Sequence, residues 1–256
     1  MQVNFSTIDN FPFIEPGDDL AGIIISTLTQ NGNSLKDGDI LVIAQKIVSK
    51  AENRYLTLNQ IIPSKEAQTL ANEVEKDPRY VQAVLDESVD VIRKKPGVLI
   101  VEHRLGFIHA NAGIDQSNIS HPEGSERLLL LPKNPDASAQ KIREEIQSRL
   151  KINIAVIIND SMGRAWRNGT LGLTIGLAGI IPIDNRMGEK DLFGRELKVT
   201  AAAIADELAA GASLLMGQTS EKTPVVLVRG FPLQDKLSIE TNTAPLLREK
   251  KQDLFR

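Results

Sequence analysis

Two carboxylates, two lysines and a hydroxyl form the part of this sequence best suited to chemistry. Asp160 and Ser161 follow the apolar, β-branched run from Ile152 to Ile158, and Gly163, Arg164, Trp166, Arg167 and Gly169 come directly after. An apolar run without polar alternation reads as a strand covered on both faces. A buried strand that delivers a carboxylate and a hydroxyl to its end, with arginines on a flexible loop beyond, is one way to assemble a metal-and-phosphate site. The competing reading is a strand and a turn, with Asp160 capping the next element and both arginines solvated.

Three further stretches bear on that site. Gln45 to Glu52 carries Lys46 and Lys50, which share a face if the segment is helical and could then hold phosphates. A solvated charged turn is the alternative. Asn111 to Asn118 leads through small and amide residues to Asp115, the composition of a tight loop whose backbone approaches a ligand. Asp115 and Asp160 would then both stand near strand ends, and a pair of carboxylates suits a hard divalent cation. The polar loop Gly217 to Thr223 gains interest only if it converges with them. His103, His109 and His121 show neither HxxxH nor HExxH spacing, so the reading gives them ordinary roles and no zinc.

The elements that must position these groups are legible in outline. Asp18 or Asp19 caps a helix with Leu20, Ile23, Ile24 and Leu28 inward, ended by Asn31-Gly32. Ile40 to Ala44 is a strand. Ala67, Leu70, Ala71 and Val74 form one helical stripe, and Val81, Val84, Leu85, Val89 and Ile92 form a second. Val98 to Val101 and Val225 to Val228 read as strands, and Leu128 to Leu131 is a short apolar run. Asp136 or Ser138 caps a helix with Ala139, Ile142, Ile146 and Leu150 inward. The stretch from Arg186 to Arg195 is loop, and Thr200 opens an alanine-rich helix to Met216. Thr243 to Arg256 reads as a charged surface helix.

Composition narrows the classes. The 256 residues suit one large domain or two small ones, and 41% apolar content supplies a sizeable core. A net charge of −3 argues against nucleic acid or anionic membrane as partner. The absence of cysteine removes disulfides, thiolate metal sites and a cysteine nucleophile. The N-terminus lacks the basic start and apolar core of a signal peptide, so a soluble, cytoplasmic protein is expected. No GxxxxGK[ST], GxGxxG or GxSxG motif is present, so any nucleotide needs a cradle other than a P-loop or Rossmann turn.

Four blocks, in order, resemble the coenzyme F420-0:L-glutamate ligases, which add glutamate to a deazaflavin coenzyme. They are Gly38 to Glu52, Asn111 to Asn118, Asp160 to Gly179, and Ala205 to Gln218 with Arg229-Gly230. The resemblance spans about Phe11 to Gly230. It implies an α/β fold of mixed sheets with packed helices in one domain over 1–256, assembled as an intertwined homodimer. It also implies GTP as co-substrate, magnesium or manganese, potassium as a further candidate ion, and L-glutamate and the deazaflavin precursor as substrates. By resemblance, metal ligands fall on Asp115, Asp160, Ser161 and Gln218. Nucleotide contacts fall on Phe11, Pro12, Phe13, Ile14, Gln45, Lys46, Lys50 and Asn118, and on Met216, Gly217, Gln218, Thr219, Ser220, Glu221, Lys222 and Thr223. Catalytic roles fall on Asp115, Asp160, Lys46 and Arg164. Ser161 stands where the family pattern has threonine, which keeps the hydroxyl, and Ala165 replaces a proline. Two other readings are the same chemistry on another phosphometabolite carboxylate, and a nucleotide-binding module without turnover.

Overall fold

The structure is a computed structural model that describes residues 2–232 and 241–255. It is a mixed α/β protein. The first half contains β1 (Asn4–Thr7), α1 (Leu20–Gln30), β2 (Ile40–Ala44), α2 (Gln45–Ala51), β3 (Tyr55–Thr57), α3 (Lys65–Val74) and α4 (Pro78–Asp86). There follow β4 (Ser88–Lys95), β5 (Val98–His103), β6 (Ile108–Ala110), β7 (Arg127–Leu129) and α5 (Pro135–Leu150). The rest is β8 (Ala155–Arg164), β9 (Arg167–Ala178), β10 (Asp184–Asn185), β11 (Ala201–Ala202), α6 (Ile204–Met216) and β12 (Val225–Arg229).

The main sheet runs β1-β12-β2-β8-β9. Only β2 and β8 pair in parallel within it, with Ala44 opposite Asn159. Both strands are apolar throughout their buried part because both sheet faces are covered, as the unbroken runs predict. Ile43, Val156 and Ile158 face one core with α1 and α5, whereas Val42, Ala155 and Ile157 face α6. A third core gathers α3, α4, β5 and β7.

Gly172 of β9 explains how close α6 comes. A Cβ there would lie 2.6 Å from the carbonyl oxygen of Ala209 and 2.7 Å from Ser213 Cβ, so only glycine fits. Buried Ala205, Ala209 and Ala212 supply the small face on the helix side.

Several sequence expectations need correction. β8 does not stop at Ser161: it continues to Arg164 and turns through Ala165-Trp166 into β9, so the glycine-rich stretch is a β-hairpin rather than a flexible loop. Val89 and Ile92 lie in β4, not in a second helical stripe, because β-branched residues and the turn at Gly97 (φ 83°) favour an antiparallel ladder with β5. The α5 cap is Asn134, whose Oδ1 accepts from Ala137 N at 3.1 Å, leaving Asp136 to accept from Leu177 N at 2.9 Å. α6 starts at Ile204, since Ala201–Ala202 pairs with Asp184–Asn185. Among the described residues the tail holds a 3-10 turn at Ala244–Leu246, set by Pro245, in place of a surface helix; Arg256 lies outside them. No helix among the described residues is long and apolar enough to cross a membrane.

Candidate active site

The adjacent ends of the parallel strands β2 and β8 form the floor of a cavity of about 850 Å³. β2 passes directly into α2, which places Gln45, Lys46 and Lys50 on the wall, and β8 brings Asn159, Asp160 and Ser161 beside them. The loop after β6 adds Asp115, whose backbone is pinned in two bonds of 2.9 Å with Leu129. Phe11, Pro12, Phe13 and Ile14 line one side, and the run Met216, Gly217, Gln218, Thr219, Ser220, Glu221, Lys222 and Thr223 lines another. Every residue the resemblance assigns to nucleotide or metal therefore borders one cavity.

Arg164 does not border it. Its Nη1 donates to the carbonyl of Gly169 at 3.0 Å inside the β8–β9 hairpin, and Arg167 is exposed at the start of β9.

Each carboxylate has its own tether. Gln45 Nε2 donates to Asp115 Oδ2 at 2.7 Å, and Gln45 Oε1 is itself held by Ser49 Oγ at 2.9 Å. Lys46 Nζ stands 3.4 Å from Asp115 Oδ1 and donates to the carbonyl of Ser117 at 3.1 Å. Burial pushes the Asp115 carboxyl up; Lys46 opposes this and the neighbouring Asp160 adds to it. Tyr80, pushed up to about 12 by burial and Asp115, donates to the carbonyl of Ile114 at 3.3 Å. Lys50 is lowered by burial and by the charge of Lys46, and it donates to the carbonyl of Asn118 at 2.8 Å.

His109, given an ordinary role on its spacing, lines the cavity and touches Asp160. Its ring is buried, with Nε2 2.9 Å from Asp160 Oδ2 and Nδ1 2.8 Å from the carbonyl of Ala110. Burial alone would lower it, but the Asp160 carboxylate outweighs that and holds it above the ordinary histidine range. No spacing rule finds it, because its partner lies on another strand.

The cavity rim is closed by loop-to-loop contacts. Asn118 Nδ2 donates to the carbonyl of Thr219 at 2.7 Å, and Lys222 Nζ sits 4.8 Å from the Phe13 ring centre. Glu221 folds back to accept from Thr219 N at 2.8 Å and packs against Gly217, whose φ of 71° suits glycine at the end of α6.

The donor set suits a hard cation. Among the described residues no group of three or more His, Cys, Asp or Glu side chains could hold a metal ion. The cavity instead offers two carboxylates, the Ser161 hydroxyl and the Gln218 amide, an oxygen set that leaves positions for substrate phosphates.

Comparison with known proteins identifies the family. The profile of the F420-0:Gamma-glutamyl ligase family matches residues 9–230. The Coenzyme F420:L-glutamate ligase of Methanothermobacter thermautotrophicus is 44% identical over 256 residues, covering 100% of both chains. That of Methanocaldococcus jannaschii is 45% identical over 224 residues, 87% of this chain and 86% of its own. That of Archaeoglobus fulgidus is 40% identical over 256 residues, 100% and 97% of the two chains. By profile and by relatives alike, this chain belongs to the F420-0:Gamma-glutamyl ligase family.

Proposed function

We propose that this protein is a GTP- and divalent-metal-dependent ligase that joins L-glutamate to the carboxylate of the deazaflavin precursor F420-0. The observation that carries the reading is the convergence of Asp115, Asp160, Lys46 and Lys50 on one cavity in a chain 44% identical to a relative named for this ligation. An amide does not form directly from a carboxylate and an amine at neutral pH, because oxide is too poor a leaving group. The acceptor carboxylate first takes the terminal phosphoryl group of GTP, the glutamate amine then attacks the acyl carbon, and phosphate leaves.

That transfer needs charge neutralisation and alignment rather than a protein nucleophile, which fits a site with no cysteine. Magnesium or manganese, held by Asp115, Asp160, Ser161 and Gln218, would neutralise phosphate charge. Lys46 and Lys50, four residues apart on α2, present two ammonium groups to the phosphates. Gln45 and His109 keep the carboxylates in place. The loops 11–14 and 216–223 enclose the nucleotide and reduce its contact with water. Arg164 is left out of the phosphate clamp because it does not line the cavity.

The reading treats the chain as one ligase domain and includes a symmetric dimer. Leu192 at 98% and Phe193 at 90% exposure, and Trp166 at the hairpin tip, provide apolar surface that a second copy would cover.

One incubation tests the activity: protein, GTP, magnesium or manganese, L-glutamate and F420-0, read by mass spectrometry. A product heavier by one glutamyl unit with GDP formed is expected; no mass gain overturns the reading. With oxygen-18 in the acceptor carboxylate, one label should pass to the released phosphate, and unlabelled phosphate beside labelled amide overturns the acyl-phosphate route.

A further inference from the structure

We infer that His109 is a positioning residue for Asp160, holding its carboxylate in the one orientation that presents oxygen lone pairs to a cation in the cavity. The inference rests on the reading of Asp160 as a metal ligand. The ring has little room to move. It is 8% exposed, it carries Phe107 tilted against it at 6.2 Å, and Phe107 is stacked on buried His103 at 5.1 Å. Both ring nitrogens are held against oxygens, Nδ1 2.8 Å from the Ala110 carbonyl and Nε2 2.9 Å from Asp160 Oδ2, so the ring bridges main chain and carboxylate.

The other carboxylate oxygen, Oδ1, accepts from Ser161 N at 2.8 Å. Each oxygen of Asp160 thus has one tether and keeps a lone pair for a cation. The opposite carboxylate follows the same plan, with Gln45 on Asp115 Oδ2. Groups that hydrogen-bond to metal-ligating carboxylates fix their geometry, and losing one commonly costs 10–100-fold in metal affinity. Replacement by glutamine keeps an amide N–H where Nε2 stands and so keeps the tether.

The test titrates Mn2+ into full-length protein with saturating GDP, followed by the loss of free-ion signal in electron paramagnetic resonance. His109→Leu removes both donors. His109→Asn keeps a donor beside Ala110 and has none that reaches Asp160, so it carries the contrast if the leucine variant does not fold. Both are expected to bind Mn2+ roughly 10–100-fold more weakly than wild type. His109→Gln is expected to bind it as tightly as wild type. In turnover, the leucine and asparagine variants should raise the KM for metal, with little change in the KM for GTP. Wild-type Mn2+ affinity in both variants, or a glutamine variant as weak as they are, overturns the inference. Asp160→Asn separates the two levels: wild-type affinity in that variant overturns the metal reading itself. Weak binding there, beside normal binding in the His109 variants, overturns only the positioning role.

Discussion

Asn118 Nδ2 donates to the carbonyl oxygen of Thr219 at 2.7 Å, joining two loops 101 residues apart across the mouth of the cavity. The main chain of Asn118 also accepts from Lys50, so this one residue connects α2 to the loop after α6. Asn118→Ala removes the bridge and leaves the Lys50 contact. A lost neutral hydrogen bond at a partly wet site costs roughly 0.5–1.5 kcal/mol, so the KM for GTP should rise about 2- to 13-fold with little change in the unfolding midpoint. An unchanged KM in steady-state kinetics would show that the bridge does not shape the nucleotide site.

Asp115→Asn and Asp160→Asn should each abolish turnover while the protein stays folded, since a neutral amide is a far poorer ligand for a hard cation than a carboxylate. Burial raises the Asp115 carboxyl, so its removal relieves a cost in the fold and should not lower the unfolding midpoint measured without metal. Near-normal activity in both variants at limiting metal would sink the ligand assignment.

Lys46→Ala and Lys50→Ala should each weaken GTP binding by roughly 1–3 kcal/mol, the scale of a charge-assisted bond. Lys46 differs in one respect: it stands 3.4 Å from Asp115, so its loss also frees that carboxylate. Isothermal titration with GTP checks both, and a superimposable isotherm returns the lysines to the status of solvated side chains.

Glu87 predicts how stability falls in acid. Burial alone would raise its carboxyl, but His103, Arg104 and Arg54 together outweigh burial and hold it below the usual glutamate range. Arg54 Nη2 lies 3.2 Å and Arg104 Nε 3.1 Å from Oε2. The native state therefore binds this proton less readily than the unfolded chain. The resulting stability is complete above the ordinary glutamate value and is lost as pH falls through the lower native one. Glu87→Gln should cost about 1–3 kcal/mol at neutral pH and flatten the acid limb of the unfolding curve. Midpoints followed by circular dichroism from about pH 7 to about pH 3 decide it, and a variant with the wild-type acid slope counts against the role of Glu87.

Light scattering at micromolar concentration should return twice the 28.0 kDa of one chain. Leu192→Glu with Phe193→Glu should shift the mass toward one chain, because two buried charges at an interface core are costly. A monomeric wild type overturns the dimer.

The frame of this site was legible because it rests on strong local signals. The unbroken apolar runs of β2 and β8 announce strands covered on both faces, and Lys46 and Lys50 fall four apart just beyond one of them. What sequence did not yield depends on partners far along the chain. His109 gains its role from Asp160, 51 residues away, and no periodicity within β6 points there. Val89 and Ile92 keep a helical spacing, yet the turn at Gly97 commits them to a ladder with β5. Asn134, rather than Asp136, caps α5 because Asp136 is drawn away by β9.

The pairing of β8 with β9 skips one residue: Ile158 faces Gly176, and Asn159 faces Thr174. Ile175 is the extra residue, a bulge one step before the end of β8 that borders the cavity. It sets which side chains of β9 meet α6, and it is why Gly172 rather than Leu171 or Leu173 lies beneath Ala209. Losing Ile175 would only make the ladder regular, whereas a residue added between Gly172 and Ile175 would turn the outer half of the hairpin over and drive a leucine into a space that admits no Cβ. In an alignment of relatives, insertions should therefore be absent between Gly172 and Gly176, whereas the stretch 186–199 is free to vary in length. The hairpin has room for no further residue there, and one insertion would alter it more than most substitutions would.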